Sequence, residues 1–365
     1  MIAGRAALDE ADDVRPEERL DLERLRPFLE ASLPGAEGPI EVRQFRKGHS
    51  NLTYLVRLGD REAVLRRAPF GATVKHAHDM GREFRILEAL QGAYGRAPRP
   101  IAFCDDESLI GARFYLMERV HGLVVRGDGA GSGLTFTPEL LRATSTALVD
   151  NLADLHAVDL TRNDLASIGR PQGYVARQVK GWTERYLAAK TDELPEVEAV
   201  ATWLAASMPL ERGAALVHND YKYDNVVLDP ADPARIVAVL DWEMATVGDP
   251  LMDLGTMLGY WSDPDDPPEI RARPAGPTSL PGSLSRRELV ERYEERSGRV
   301  VGSALFYYVF ALFKVAVIVQ QIYRRWVEGH THDERFAALG GWVRAMGAQA
   351  ARALDRGRIH GLGPP

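Results

Sequence analysis

The chain has 365 residues, 45% of them apolar and 27% charged, with a formal net charge of −7; this suits a soluble globular protein long enough for two lobes. The acidic balance argues against a protein that grips a nucleic-acid backbone, which would be basic. A single cysteine, Cys104, excludes an intrachain disulfide and a cysteine-rich zinc site.

Residues 1–37 form an acidic leader without the apolar core of a signal peptide, so a cytoplasmic protein is expected. Three short β-rich runs follow, "PIEVRQF", "LTYLVRLG" and "REAVLRRA", separated by Gly, Asp or charged turns. In "DMGREFRILEALQGAY", Phe84, Leu87 and Leu90 recur at helical spacing. "RPIAFCDD" and "RFYLMERVHG" then return to strand character, so residues 38–119 read as a small mixed lobe.

From residue 120 to 365 the chain is mainly helical, which makes the fold class α+β. "TPELLRATSTALVDNLADLHAV" opens on a Thr-Pro start signal and carries Leu141, Leu148 and Leu152 on an apolar face. "GYVARQVKGWTERYLAAK" and "LPEVEAVATWLAASM" are two further helices, and a strand pair, "NVVLD" and "IVAVLD", interrupts them. Helices resume with "PLMDLGTMLGYW" and three more between Ser285 and Leu354, while residues 262–283 read as a long loop. The run from Ala304 to Tyr323 is the most membrane-like, but Lys314 in its middle and Gln320-Gln321 near its end point to a buried core helix. No membrane partner is expected.

The stretch "LVHNDYKYDNVVLD" packs His218, Asp220, Asp224 and Asn225 between apolar runs. His218-x-Asp220-x-x-x-x-Asn225 has the spacing of the catalytic loop of kinase-type phosphoryl transfer. One carboxylate orients the attacking hydroxyl and accepts its proton. A neutral amide five residues on can coordinate Mg²⁺ without competing for that proton. Asp241, at the end of the next strand in "AVLDWE", is placed to hold the metal. Asp224 reads as a turn residue. Tyr221, Lys222 and Tyr223 are candidates for contact with substrate or γ-phosphate.

With "GDPLMDLG" added, "HNDYKYDNVVLD…VLDWEMATVGDPLMDLG" resembles the aminoglycoside phosphotransferase-like family of small-molecule kinases. The likeness is strongest to the branch related to the kinase-like domain fused to some acyl-CoA dehydrogenases, and it covers roughly residues 38–350. It implies a bilobal protein-kinase-like fold, ATP and Mg²⁺ as cofactors, and a small-molecule hydroxyl as acceptor. By the same resemblance Asp220 is the catalytic base, His218 a histidine bracing the loop, and Asn225 and Asp241 the metal ligands. Asp249 and Asp253 match the family's structural brace. In "RKGHSNLTYLVRL", Ser50 and Asn51 would approach the β- and γ-phosphates, although Gly48 is the loop's single glycine. Arg66 stands where a V-A-I-K strand has lysine, and Glu83 matches the helix glutamate that pairs with that cation. Glu118 and Val120 would meet adenine through their backbone.

Fold and catalytic loop are shared by kinases of antibiotics, choline-like alcohols, sugars and hydroxyacyl groups, so the acceptor is read from charge. Arg170, Arg177, Lys180 and Arg185, with Trp182 between them, suit a hydroxy acid or hydroxyacyl-CoA. The tail cations Arg352, Arg356 and Arg358 argue against a polycationic aminoglycoside. The acidic set Asp263, Asp265, Asp266 and Glu269 is expected as a solvated loop, with capture of a cationic substrate as its alternative. His76, His78, His330 and His332 read as solvated loop residues rather than a zinc site. The alternatives to the anionic-acceptor kinase are an antibiotic kinase, a non-catalytic nucleotide-binding module, and a metal-dependent hydrolase, which lacks the expected histidine-rich ligand set.

Overall fold

The computed structural model describes residues 10–45, 51–69, 79–330 and 334–363. The smaller lobe is built on strands β1 (Ile40–Gln44), β2 (Leu52–Leu58), β3 (Arg61–Arg67), β4 (Pro100–Cys104) and β5 (Phe114–Met117). They form one antiparallel sheet in the order β1-β2-β3-β5-β4. Helix α1 (Leu22–Ser32) starts where Asp21 accepts a hydrogen bond from the Arg24 N–H. Its Leu25 and Leu29 pack on Tyr54, Val56, Ala63 and Leu65, so the leader covers the outer face of the sheet. Helix α2 (Met80–Leu90), capped by Asp79, packs Ile86, Leu87 and Leu90 in the core that includes Val64.

Strand β3 lies between β2 and β5 and is covered on both faces. Side chains alternate along a strand, so Arg66 shares the α2-facing side with Val64, while Arg67 turns outward and donates to the Ile110 carbonyl at 2.6 Å. That alternation delivers the Arg66 cation to the cleft.

Past β5 the chain crosses to the larger lobe, where the Leu123 N–H donates to the Leu228 carbonyl at 2.9 Å. Gly122 permits this approach: a Cβ there would lie 2.5 Å from the Leu228 carbonyl oxygen. The larger lobe contains α3 (Pro138–His156), α4 (Tyr174–Ala189), α5 (Pro195–Ala206), β6 (Ala215–Val217), β7 (Val226–Leu228), β8 (Ile236–Val239), β9 (Thr246–Gly248), α6 (Pro250–Tyr260), α7 (Pro268–Arg271), α8 (Arg286–Ser297), α9 (Ala304–Val327) and α10 (Leu339–Arg356). β6 pairs with β9 and β7 with β8, both antiparallel. Three-residue β9 carries too little pattern to be read from sequence.

Helix α9 is the one described helix long and apolar enough to span a membrane. Most of its surface is buried, and it packs against α6, α10 and α4. The expected solvated acidic loop is corrected. Asp263 and Asp266 are buried against Arg286, whose guanidinium meets Asp266 at 2.6 and 2.8 Å and Asp263 at 3.3 Å. A carboxylate survives burial only when paired and hydrogen-bonded, and burial still pushes the Asp263 carboxyl up to about 6. Asp265 and Glu269 remain exposed.

Candidate active site

The loop 218–225 runs from β6 to β7 and is anchored from α6. Asp253 Oδ2 accepts the His218 N–H at 2.6 Å and Oδ1 the Asn219 N–H at 2.7 Å. His156 Nε2 lies 3.2 Å from the same carboxylate, and both side chains are fully buried. Burial alone would raise the Asp253 carboxyl, but His156 and these N–H groups hold it below its ordinary range. The family resemblance pointed to Asp253 as a brace; His156 as its partner was not legible. Asp249 caps α6 through the Leu251 N–H at 2.8 Å and also takes the Arg212 N–H at 3.1 Å.

His218 is buried and fully engaged. Its Nδ1 accepts the Asp220 N–H at 3.3 Å, its Nε2 faces the Leu240 carbonyl at 2.9 Å, and its ring meets Trp242 edge-on at 5.0 Å. A ring that accepts at one nitrogen and donates at the other ties the start of the loop to the Leu240 carbonyl.

Asp220 is the convergence point. Lys222 Nζ lies 2.7 and 2.9 Å from its two oxygens, the Tyr260 hydroxyl donates at 2.6 Å, and Asn225 Nδ2 donates at 2.8 Å. Burial works to raise this carboxyl, but Lys222 outweighs it, and Asp220 sits below the ordinary carboxylate range. The Lys222 ammonium also lies 4.6 Å from the centre of the Tyr260 ring. Tyr260 was missed from sequence. It stands seven residues after Asp253 on α6, two helical turns along the same face, so that spacing was the available signal.

On the opposite side of the cleft, Arg66 is buried and links three carboxylates. Its Nη2 contacts Asp241 at 2.8 Å and Glu243 at 4.0 Å, and its Nε lies 3.5 Å from Glu83. Burial would discharge the guanidinium, but Glu83 and Asp241 more than offset it. Burial raises the Glu83 carboxyl, with Arg66 opposing. Asp241, two residues past β8, lies in the left-handed region at φ 66°, a turn that puts it in the lining of the cleft with Asn225. Asn51 donates to Glu243 at 2.7 Å, tying the start of β2 to the larger lobe. Ser50 lies outside the described residues.

The cleft has an empty volume of about 850 Å³, open mouth included, with Val64 and Met117 above and Val227 and Leu240 below. Glu118 and Val120 line its inner edge. The Glu118 N–H is engaged by the Arg99 carbonyl at 2.9 Å, so a base stacked there would meet the Glu118 carbonyl and the Val120 N–H.

The donor set near Asp241 fits a hard cation. Asn225 has its amide nitrogen on Asp220 and offers oxygen; Asp241 gives one oxygen to Arg66 and keeps the other. One neutral and one anionic oxygen suit Mg²⁺, which completes its shell with water and phosphate oxygens.

A second, positively charged pocket opens between α4, α9 and the loop 218–225. Arg170, Arg177, Arg185 and Lys314 line it with Trp182 and Asn219, and among the described residues no carboxylate does. The carbonyls of Arg170 and Gln172 hold the Arg177 guanidinium, and Arg185 stacks 4.7 Å from the Trp182 ring centre. Three of the four cations expected on α4 and just before it are thus brought together. Lys180 is the exception, exposed and 3.9 Å from Glu184. Lys314, read from sequence only as a break in an apolar run, completes the set. The tail cations do other work, Arg356 holding the Gly361 and Gly363 carbonyls and Arg352 meeting Gln349. His330 is exposed; His76, His78 and His332 lie outside the described residues.

Residues 41–289 match the phosphotransferase enzyme family (APH). Acyl-CoA dehydrogenase family member 10 of Mus musculus is 37% identical over 312 residues, which are 85% of this chain and 29% of that protein. The chain therefore spans less than a third of that relative. A candidate aminoglycoside phosphotransferase from Ralstonia eutropha has a solved structure that superposes with a TM-score of 0.78 at 30% identity, covering 93% of this chain and 99% of that one. An aminoglycoside phosphotransferase in ternary complex with ADP and hygromycin B shares the fold at a TM-score of 0.56 and 15% identity, over 90% and 97% of the two chains. The matched segment runs from β1 through the loop 218–225 and its α6 anchor into α8, and the chain belongs to the phosphotransferase enzyme family.

Proposed function

We propose that the protein is an ATP- and Mg²⁺-dependent kinase that transfers the γ-phosphoryl group to a hydroxyl of an anionic small molecule, a hydroxy acid or hydroxyacyl-CoA. The observation that carries this reading is the position of Asp220. It is bonded to Asn225, which lines the nucleotide-sized cleft, and directly follows Asn219, which lines the cationic pocket; Lys222, Tyr260 and Asn225 keep it ionised and oriented.

In the reaction the acceptor oxygen bonds to the γ-phosphorus, the bond to the bridging oxygen breaks, and ADP leaves with the electron pair. Asp220 aligns the hydroxyl by accepting its hydrogen bond and takes its proton. A carboxylate of low basicity accepts that proton late, as the hydroxyl acidifies on bonding to phosphorus, which suits a loose transition state. Lys222 places a cation at the point of transfer. Arg66 stands in the cleft for the triphosphate, and Asn225 and Asp241 would hold Mg²⁺, which supplies charge neutralisation to the phosphates.

The alternative of a non-catalytic nucleotide-binding module leaves the Asp220–Lys222–Tyr260 cluster without a purpose. The alternative of an aminoglycoside kinase sets a polycation against a pocket lined by cations. The proposed enzyme works in the cytoplasm and meets neither nucleic acid nor membrane, in keeping with the net charge of −7 and the buried single cysteine. The test is ATP consumption, with and without Mg²⁺, across hydroxy acids, hydroxyacyl-CoAs, neutral alcohols and aminoglycosides. Mg²⁺-dependent turnover confined to the anionic set is expected; turnover of aminoglycosides alone refutes the acceptor class, and turnover of nothing favours the module.

A further inference from the structure

Lys314 sits halfway along α9 and is 3% exposed. Its ammonium has three donors, and the bond it makes is to the Asn219 carbonyl at 2.6 Å. Among the described residues no carboxylate lies within 4.0 Å of it. A buried ammonium without a paired anion is costly, and replacing it with a packed apolar residue would usually be neutral or stabilising. The side chain nonetheless opens onto the cationic pocket, 5.8 Å from the Trp182 ring centre, with Arg170, Arg177 and Arg185 at the same opening.

We infer that Lys314 is a specificity-determining residue that binds the acceptor's anionic group, so that an anion entering between α4 and α9 supplies its missing partner and seats the acceptor beside Asp220. This rests on the anionic-acceptor reading above and names the residue that enforces it. Asn219 is the link: its carbonyl takes Lys314, and the next residue is Asp220. The acceptor's charge and its reactive hydroxyl are therefore gauged by adjacent residues. The exposed arginines attract the anion, while Lys314 discriminates, because only a buried donor is left unsatisfied by the wrong ligand.

The protonation of Lys314 supports the same picture. Burial lowers its ammonium to about 8. Asp220 on the catalytic loop and Asp253 on α6 oppose that shift, and Lys222 and Arg185 add to it. The ammonium is charged below about pH 8 and neutral above, so an anion is held better on the acid side.

The test compares kcat/KM for a panel of hydroxycarboxylates, 3-hydroxybutyrate among them, with that for their carboxamides, in the wild-type protein and in Lys314→Met. The anion-to-amide ratio is expected to fall about 10²-fold in the variant, with the KM for ATP as the control for the nucleotide cleft. In the wild-type protein alone, the same ratio should fall about tenfold or more between about pH 7 and pH 9.5 as the ammonium discharges. This second arm decides the matter if Lys314→Met fails to fold. Preference retained in Lys314→Met, or a ratio flat with pH, overturns the role of Lys314 and leaves the acceptor class standing. Equal loss for both substrates overturns it too, assigning Lys314 to support of the Asn219 carbonyl. A wild-type protein that prefers no hydroxycarboxylate over its carboxamide overturns both readings.

Discussion

Replacing Arg66 with alanine should cost stability by an amount that depends on pH. Glu83 is 2% exposed and its nearest cation is Arg66 at 3.5 Å. At that distance, and at an effective dielectric of about 20, the attraction is on the order of 5 kcal/mol. Removing one partner of a buried pair typically costs about 3–5 kcal/mol. Glu83 has an escape, because a stranded carboxylate can take a proton. Its carboxyl is already raised by burial with Arg66 opposing, and in Arg66→Ala burial and the Asp241 charge would be opposed only by the hydrogen bonds from Tyr115 and the Trp242 backbone. A raised carboxyl favours the folded state at low pH and loses that advantage as pH rises through its folded value. The destabilisation should therefore be about 1 kcal/mol near pH 5 and about 3 kcal/mol or more near pH 8. Arg66→Lys keeps a charge without the fork that reaches Asp241 and Glu83 together, so it should lie between. Urea denaturation at the two pH values reads the difference, and Mg-ATP calorimetry should show binding lost in Arg66→Ala and retained in Arg66→Lys. Equal stability of wild type and Arg66→Ala at both pH values, with unchanged nucleotide affinity, would refute the assignment of Arg66 as the cleft's central cation.

Asp220→Ala should lower turnover by about 10²–10⁴-fold, the range of a general base, with Mg-ATP affinity nearly intact; turnover within a few-fold of wild type would refute its role. Asp241→Asn should weaken Mg-ATP binding more than Asn225→Ala, since an anionic oxygen contributes more to a cation site than a neutral one, and calorimetric titration of both variants decides. Tyr260→Phe removes a hydrogen-bond donor from the Asp220 carboxylate and so raises its pKa. Because activity needs Asp220 ionised, the acid limb of the kcat profile should move to higher pH, whereas an unmoved limb would make Tyr260 merely structural.

Much of this protein could be read from residue order alone, because the signals involved are local. The limits of β1, β2 and β3 follow from alternating apolar residues between turn-forming Gly and Asp, and each strand was legible to within a residue or two. The spacing of His218, Asp220 and Asn225 likewise specifies a loop, since three side chains within eight residues share one stretch of backbone. What the tertiary structure decided is which distant groups meet. Asp263 and Asp266 looked solvated because a run of acidic residues usually is; their partner, Arg286, lies about twenty residues on and only the packing of α8 brings it in. Lys314 looked like a flaw in an apolar helix, and Tyr260 like the end of one, until α9 and α6 placed them against the catalytic loop. Local propensity acts over a few residues, whereas the charge balance of a buried site is set by elements far apart in the chain. The longer elements and the spacing of His218, Asp220 and Asn225 were therefore a property of the sequence itself, and the electrostatic partners of each group in the site a property of the fold.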